Sequence, residues 1–203
     1  MYDENAAPEA LRTGLPWVPG SSYSAARERH AIARQVAYEA ARMEATRLGI
    51  CGPEFRVADI DGHALTIWRS TWTGVHPSGA GGWNWPGLVE RMPHRAAVLP
   101  MALWHGDDLC ALALGHLSRR RATGVRHTIT LTYLERRPEP PPVALRGRIA
   151  VLAITAARNY AITRGGRRMR LRYPDRSLIG YYRALGFEIV WKGSTPIYCE
   201  REI

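Results

Sequence analysis

Lysine is almost absent from this chain: Lys192 is the only one, so all but one of its 28 basic residues are arginine. No apolar stretch approaches the roughly 20 residues that a bilayer-spanning helix needs. The most apolar segments, around 111–117 and 149–157, are short and soon meet charge, so no membrane partner is expected. The first residues, MYDENAAPEALRTG, are acidic and lack an apolar run, unlike a secretory leader. Cys51, Cys110 and Cys199 have no CxxC spacing, which excludes a zinc ribbon or disulfide scaffold and points to a reducing, cytoplasmic setting. Among seven histidines there is no HExxH and no His-x-His, so no metal site is expected.

What is present is a 46% apolar chain of 203 residues, enough for one domain with a sizeable core. Its net charge of +10 is unevenly spread, with fourteen arginines against Glu135 and Glu139 between Ser118 and Arg172. A surface of one sign attracts phosphates, nucleic acids or acidic partners.

Prolines 8, 16 and 19 and glycines 14 and 20 mark residues 1–23 as an irregular arm. Residues 24–203 read as one domain, with 24–95 on the acceptor side and 96–203 as the cofactor-binding core. From Ser24 to Leu48 the spacing of Ile32, Val36, Ala40 and Met43 predicts an amphipathic helix with those residues buried. FRVADI and HALTIW flank Asp61-Gly62, which predicts a β-hairpin over 55–68. The glycine-rich segment 71–87 carries Trp72, Trp83 and Trp85. Two readings stand for it, a loop closing over a ligand and a loop anchored by its indoles. A short helix is expected near Pro86 to Arg91.

Three strands follow, 96–105, 109–118 and 127–136, the first two joined by a turn at Asp107-Asp108. In the third, period-two alternation puts Ile129, Leu131, Tyr133 and Glu135 on one face. Glu135 at the end of that row is a candidate general base, and its other reading is a solvated carboxylate or a partner of Arg136 or Arg137. His116 and His127 are further candidates for accepting a proton.

Pro138, Pro140, Pro141 and Pro142 end the strand and lead to a helix starting near Arg146 or Gly147. Its apolar face is Ile149, Leu152, Ala153, Ala156, Ala157, Tyr160 and Ala161, and Gly165-Gly166 end it. The first turn of a helix presents unpaired amides and the positive end of the helix dipole. Arg146 and Arg148 stand where acidic residues would favour a structural helix, so the end calls for an anion, the other reading being exposed, solvated arginines. The strand RRMRLRY, a helix over 177–184 and the strand FEIVW complete the chain. Tyr181 and Tyr182 are adjacent on that last helix, so only one points fully into the core.

The order strand, helix, strand, helix, strand, ending in YYRALGF, resembles the GCN5-related N-acetyltransferase superfamily over about residues 96–198. The resemblance implies an α+β fold, with a central, mostly antiparallel mixed sheet flanked by helices, here with an added N-terminal helix. It implies acetyl-CoA as cofactor, its pyrophosphate at the helix start and its pantetheine beside the strand at Tyr133 and Leu134. It also implies transfer of the acetyl group to a primary amine by direct attack. Tyr182, five residues before Phe187, matches the tyrosine that protonates the leaving thiolate, and Asp175 stands where an asparagine is usual.

The pyrophosphate loop is degenerate. One register of the family pattern sets Leu145, Arg148 and Ala150 at its defined positions, of which only Ala150 conforms. The next sets Arg146 first, with Ile149 and Val151 replacing small residues and Gly147 offering close approach. The implied acceptor is an amine on a small molecule, a protein or an aminoacyl-tRNA, and a second copy of the chain is a further candidate partner. The rival reading is a non-catalytic basic module for nucleic acid or acidic protein, binding in a salt-dependent way with no need of acetyl-CoA.

Overall fold

A computed structural model describes residues 21–50, 54–75, 82–91, 97–118, 127–140 and 142–203. The N-terminal arm up to residue 20, Cys51, the 76–81 part of the glycine-rich segment, the basic run 119–126 and Pro141 lie outside them. The elements are α1 (Ser21–Arg47), β1 (Phe55–Ala58), α2 (Gly62–Thr71), α3 (Trp85–Glu90), β2 (Val98–His105), β3 (Asp108–Leu117), β4 (Thr128–Arg136), α4 (Ile149–Thr163), β5 (Arg168–Arg172), α5 (Ile179–Ala184), β6 (Glu188–Lys192) and β7 (Thr195–Glu202). Single 3-10 turns at Val143–Leu145 and Arg176–Leu178 precede α4 and α5.

The strands form one sheet in the order β1-β2-β3-β4-β5-β7-β6. Every neighbouring pair is antiparallel except β4 and β5. The fold is therefore the expected α+β type, a mostly antiparallel mixed sheet flanked by helices. None of the described helices is long and apolar enough to cross a membrane.

Two cores lie against opposite faces. The larger joins α1 and α4 to Leu99, Met101, Leu103, Ala111, Ala113, Ile129, Leu131, Met169 and Leu171. The smaller gathers Ala64, Trp68, Trp72, Trp85, Trp104, Leu109 and Leu112. Alternation along each strand feeds both layers.

Three local expectations are corrected. In α1 the buried stripe is Ala33, Ala37, Ala41 and Ala45, each at most 1% exposed, whereas Ile32, Val36 and Met43 face solvent. Alanines at four-residue spacing let α1 approach α4, where Ala153, Ala156, Ala157 and Ala161 are fully buried. Polar pairs align the packed pieces: His30 Nδ1 lies 2.7 Å from the Tyr160 hydroxyl, and Arg34 reaches Asp59 at 3.1 Å. Ala37→Leu should therefore overpack the layer and cost about 1–3 kcal/mol. Val36→Ala, one residue away, should change stability by about 0.5 kcal/mol or less. Urea unfolding of both variants checks the assignment, and equal effects would refute it.

The hairpin expected over 55–68 is a strand followed by a helix. Asp61 is the N-cap of α2, its carboxylate accepting from the Ala64 amide at 2.8 Å. Ala64, Trp68 and Trp72 are buried at helical spacing, so the pull of two indoles toward the core outweighs the Asp-Gly turn signal. The turn between β2 and β3 is likewise one residue earlier than expected. His105 pairs with Asp108 across Gly106-Asp107, and Gly106 takes φ +59°.

The third correction concerns β4. Gly115 pairs with Leu131 while Leu114 pairs with Tyr133, so Thr132 is an extra residue, a β-bulge. The bulge inverts the alternation. Ile129 and Leu131 point into the helix-backed core of α1 and α4, whereas Tyr133 packs with the tryptophan-rich core. Glu135 follows Tyr133 to that side, so the expected common row of Ile129, Leu131, Tyr133 and Glu135 does not exist.

Candidate active site

Pairing of β4 with β5 runs from Thr128–Arg168 to Leu131–Leu171 and stops there. Residues 132–136 continue along β3 but have no β5 partner, so the β5 side of β4 is left open there, and that opening is the candidate cleft. Of the adjacent amides of Tyr133 and Leu134, one points toward β3 and the other toward the cleft.

Helix α4 starts at Ile149, later than expected. The chain passes through a 3-10 turn, then Gly147 at φ +69°, where an added Cβ would meet nothing within 4 Å. Arg148 occupies the N-cap without a capping side-chain hydrogen bond, and the first turn holds no acidic residue. Its guanidinium instead returns to the Ala144 carbonyl at 3.2 Å. Arg146 is exposed at the same end. Amides of a first turn left uncapped, beside two arginines, suit a phosphate-bearing ligand. Ile149 stands at a position where the family pattern has a small residue, but its side chain is 7% exposed and belongs to the core. It therefore does not fill the space over the helix end. Ala150 is half-buried.

On the helix-backed face, a row of paired residues crosses the sheet at the point of opening: Leu131, Leu171, Cys199 and Ile189. Tyr182 lies close to Cys199, 8% exposed, with Phe187 edge-on at 6.4 Å between ring centres. Burial foremost, with the Cys199 thiol and Asp175 adding to it, pushes its phenol up to about 12. Tyr181 is half-buried, and its hydroxyl has no hydrogen-bond partner among the described residues.

On the other face, Glu135 is 4% exposed and accepts a hydrogen bond from the indole N–H of the fully buried Trp85. Trp83 stands 43% exposed, its ring edge-on to Tyr133 at 5.0 Å. Trp85 approaches the same Tyr133 ring at 6.3 Å. The two readings of the tryptophan segment thus divide between residues: Trp72 and Trp85 anchor it, and Trp83 stays open beside the cleft. No local pattern signals the Trp85–Glu135 bond, which spans 50 residues.

The remaining candidates fall in different places. His116 is exposed on β3, its Nδ1 lying 3.4 Å from the Thr132 hydroxyl, one strand away from Tyr133 on the same face. His127 is tied to the Ser118 carbonyl at 2.7 Å. It lies about 26 Å from Glu135 along β4 at strand rise, so the structure does not bring the two together. Asp175 caps the 3-10 turn before α5, taking both the amide and the hydroxyl of Ser177 at 2.8 Å. Those hydrogen bonds hold its carboxyl below the usual range. Among the described residues no cluster of His, Cys, Asp and Glu could hold a metal ion.

No family model and no curated protein sequence matches the chain, but solved structures share its fold. An acetyltransferase from Thermus thermophilus superposes with a TM-score of 0.53 at 18% identity, covering 73% of this chain and 97% of that one. Arabidopsis thaliana Naa50, solved with the bisubstrate analogue CoA-Ac-MVNAL, gives 0.50 at 10% identity, covering 74% and 99%. The ribosomal-protein-S18-alanine N-acetyltransferase of Escherichia coli gives 0.50 at 14%, covering 73% and 95%. The architecture is thus that of the GCN5-related N-acetyltransferases.

Proposed function

We propose that the chain is an acetyl-CoA-dependent N-acetyltransferase acting on a primary amine. The observation that carries this reading is the cleft where β4 leaves β5 after Leu131, combined with an uncapped, acid-free helix start flanked by Arg146 and Arg148. The acetyl-CoA thioester supplies an activated acyl group. Arg146, Gly147, Arg148, Ile149 and Ala150 would hold its phosphates, the last three largely through backbone amides, and the cleft edge at Tyr133 and Leu134 would hold its arm.

The faces of the sheet divide the proton traffic. Glu135 would take the proton of the attacking amine through a water, from the tryptophan-rich face. A cleft-facing amide at Tyr133 or Leu134 would donate to the negative charge building on the carbonyl oxygen. As the carbon–sulfur bond breaks, Tyr182 on the helix-backed face would hand its phenolic proton to the thiolate. His116 is the nearest alternative base on the acceptor face.

Calorimetry with acetyl-CoA tests the reading. A saturable one-to-one titration is expected, and Arg146→Ala should weaken it about tenfold, near 1.4 kcal/mol for a charge-assisted phosphate contact. Absence of saturable binding would overturn the enzyme reading and leave the basic surface as a binding module.

A further inference from the structure

The acceptor side of the cleft has a defined chemical character. Trp83 and Tyr133 meet edge to face where β4 has no β5 partner, and Trp85 approaches the same Tyr133 ring. Tyr133 is half-buried and Trp83 is 43% exposed, so ring surface is available there. Glu135 lies two residues along the same face of β4, about 6.6 Å at strand rise. It is the only carboxylate that β4 contributes.

The neighbouring strand brings no more negative charge. β5 turns Arg168, Arg170 and Arg172 to this face; Arg168 and Arg170 stand beside Thr128 and Thr130, about 23 and 16 Å short of Glu135 at strand rise, and Arg172 follows the last pair. The acidic groups of β7 beyond them are engaged, Arg170 holding Glu200 at 2.8 Å and Arg168 reaching Glu200 and Glu202 at 4.0 Å, and Arg137 holds Asp108 at 3.2 Å and Glu139 at 2.6 Å. A polyamine placed here would set one ammonium near Glu135 and find no second carboxylate on β4 or β5 for the rest. A single ammonium on an aromatic or apolar body would gain attraction to the ring faces and apolar burial together.

The geometry points to Trp83 and Tyr133 as an acceptor subsite for a monoamine that carries an aromatic or bulky apolar group, presenting its nitrogen to Glu135. This rests on the acetyl-transfer reading for its catalytic meaning, though the subsite itself is defined by this chain's own rings. Trp83 sets the preference, because it is the exposed member and its removal leaves the Trp85–Glu135 bond in place.

The test is calorimetric binding of 2-phenylethylamine, n-propylamine and spermidine to the protein saturated with CoA. 2-Phenylethylamine should bind at least tenfold more tightly than either other amine. Trp83→Ala should erase that advantage while leaving CoA affinity within twofold. Equal or tighter binding of spermidine or n-propylamine, or a preference unmoved in Trp83→Ala, would overturn the subsite. If CoA itself fails to bind, the acetyl-transfer reading falls, and the same three titrations on the free protein still decide the subsite. Circular dichroism of Trp83→Ala confirms that it is folded, and Trp83→Phe, which keeps a ring, should retain most of the preference.

Discussion

Glu135→Gln is expected to lower kcat by about two to four orders of magnitude, the range for loss of a positioned general base. The substitution isolates chemistry from architecture. A glutamine carbonyl can still accept the Trp85 indole proton, the bond that ties α3 to β4, so the fold should be kept. Affinity for acetyl-CoA should also hold, because Glu135 faces away from the helix-backed side on which α4 begins. Steady-state kinetics beside a thermal melt reads both parts. A variant with wild-type kcat and unchanged melting would show that Glu135 serves only to hold Trp85, and would move the base to His116.

Tyr182→Phe is expected to lower kcat about a hundredfold or more with acetyl-CoA affinity within twofold of wild type. The ring stays to pack on Phe187, and only the proton donor goes. With its phenol pushed from 10.0 to about 12 by burial, Tyr182 remains protonated throughout neutral pH, as a general acid must. The sign of the linked stability follows. Above pH 10 the unfolded chain releases this proton while the folded chain retains it, so stability falls as pH rises from 10 toward 12. Tyr182→Phe should lessen the alkaline decline without abolishing it, because burial also raises the pKa of Tyr38, Tyr160, Tyr181, Cys110 and Cys199, and alkaline denaturation reports the difference. Unchanged turnover would remove the proposed acid role.

The order of elements from β2 to β6 was legible in the sequence because it rests on strong local patterns, whereas β7 (Thr195–Glu202), which inserts between β5 and β6, was not expected. Short apolar or alternating runs and the threonine-laced β4 lead into a helix ended by Gly165-Gly166, and Leu185-Gly186-Phe187 marks the exit from α5. Tyr182 could be placed on the last helix for the same reason, but the α4 start was set two or three residues too early. What failed depends on partners distant in the chain. Period alone cannot tell which of two apolar faces of α1 turns inward. The alanine face won because α4 offers a matching surface of small residues, while Ile32, Val36 and Met43 had nothing to pack against among the described residues. Asp61-Gly62 carries both a turn signal and an N-cap signal, and only Ala64, Trp68 and Trp72 meeting Trp104 and Leu112 decide between them. The site was half visible for a like reason. Glu135 could be named, but its neighbours Trp83 and Trp85 come from another segment, and its face depends on one unpaired residue.

That residue, Thr132, gives β4 two independent careers. On the proposed function, changes at Ile129 or Leu131, before it, should register in melting temperature, and changes at Tyr133 or Glu135, after it, in turnover and acceptor choice, although all four share one short strand. Selection can thus remodel what the protein acts upon without disturbing the layer that keeps it folded. Deletion of Thr132 would remove the bulge and join the halves by ordinary alternation, with Tyr133 and Glu135 kept on the face opposite Leu131.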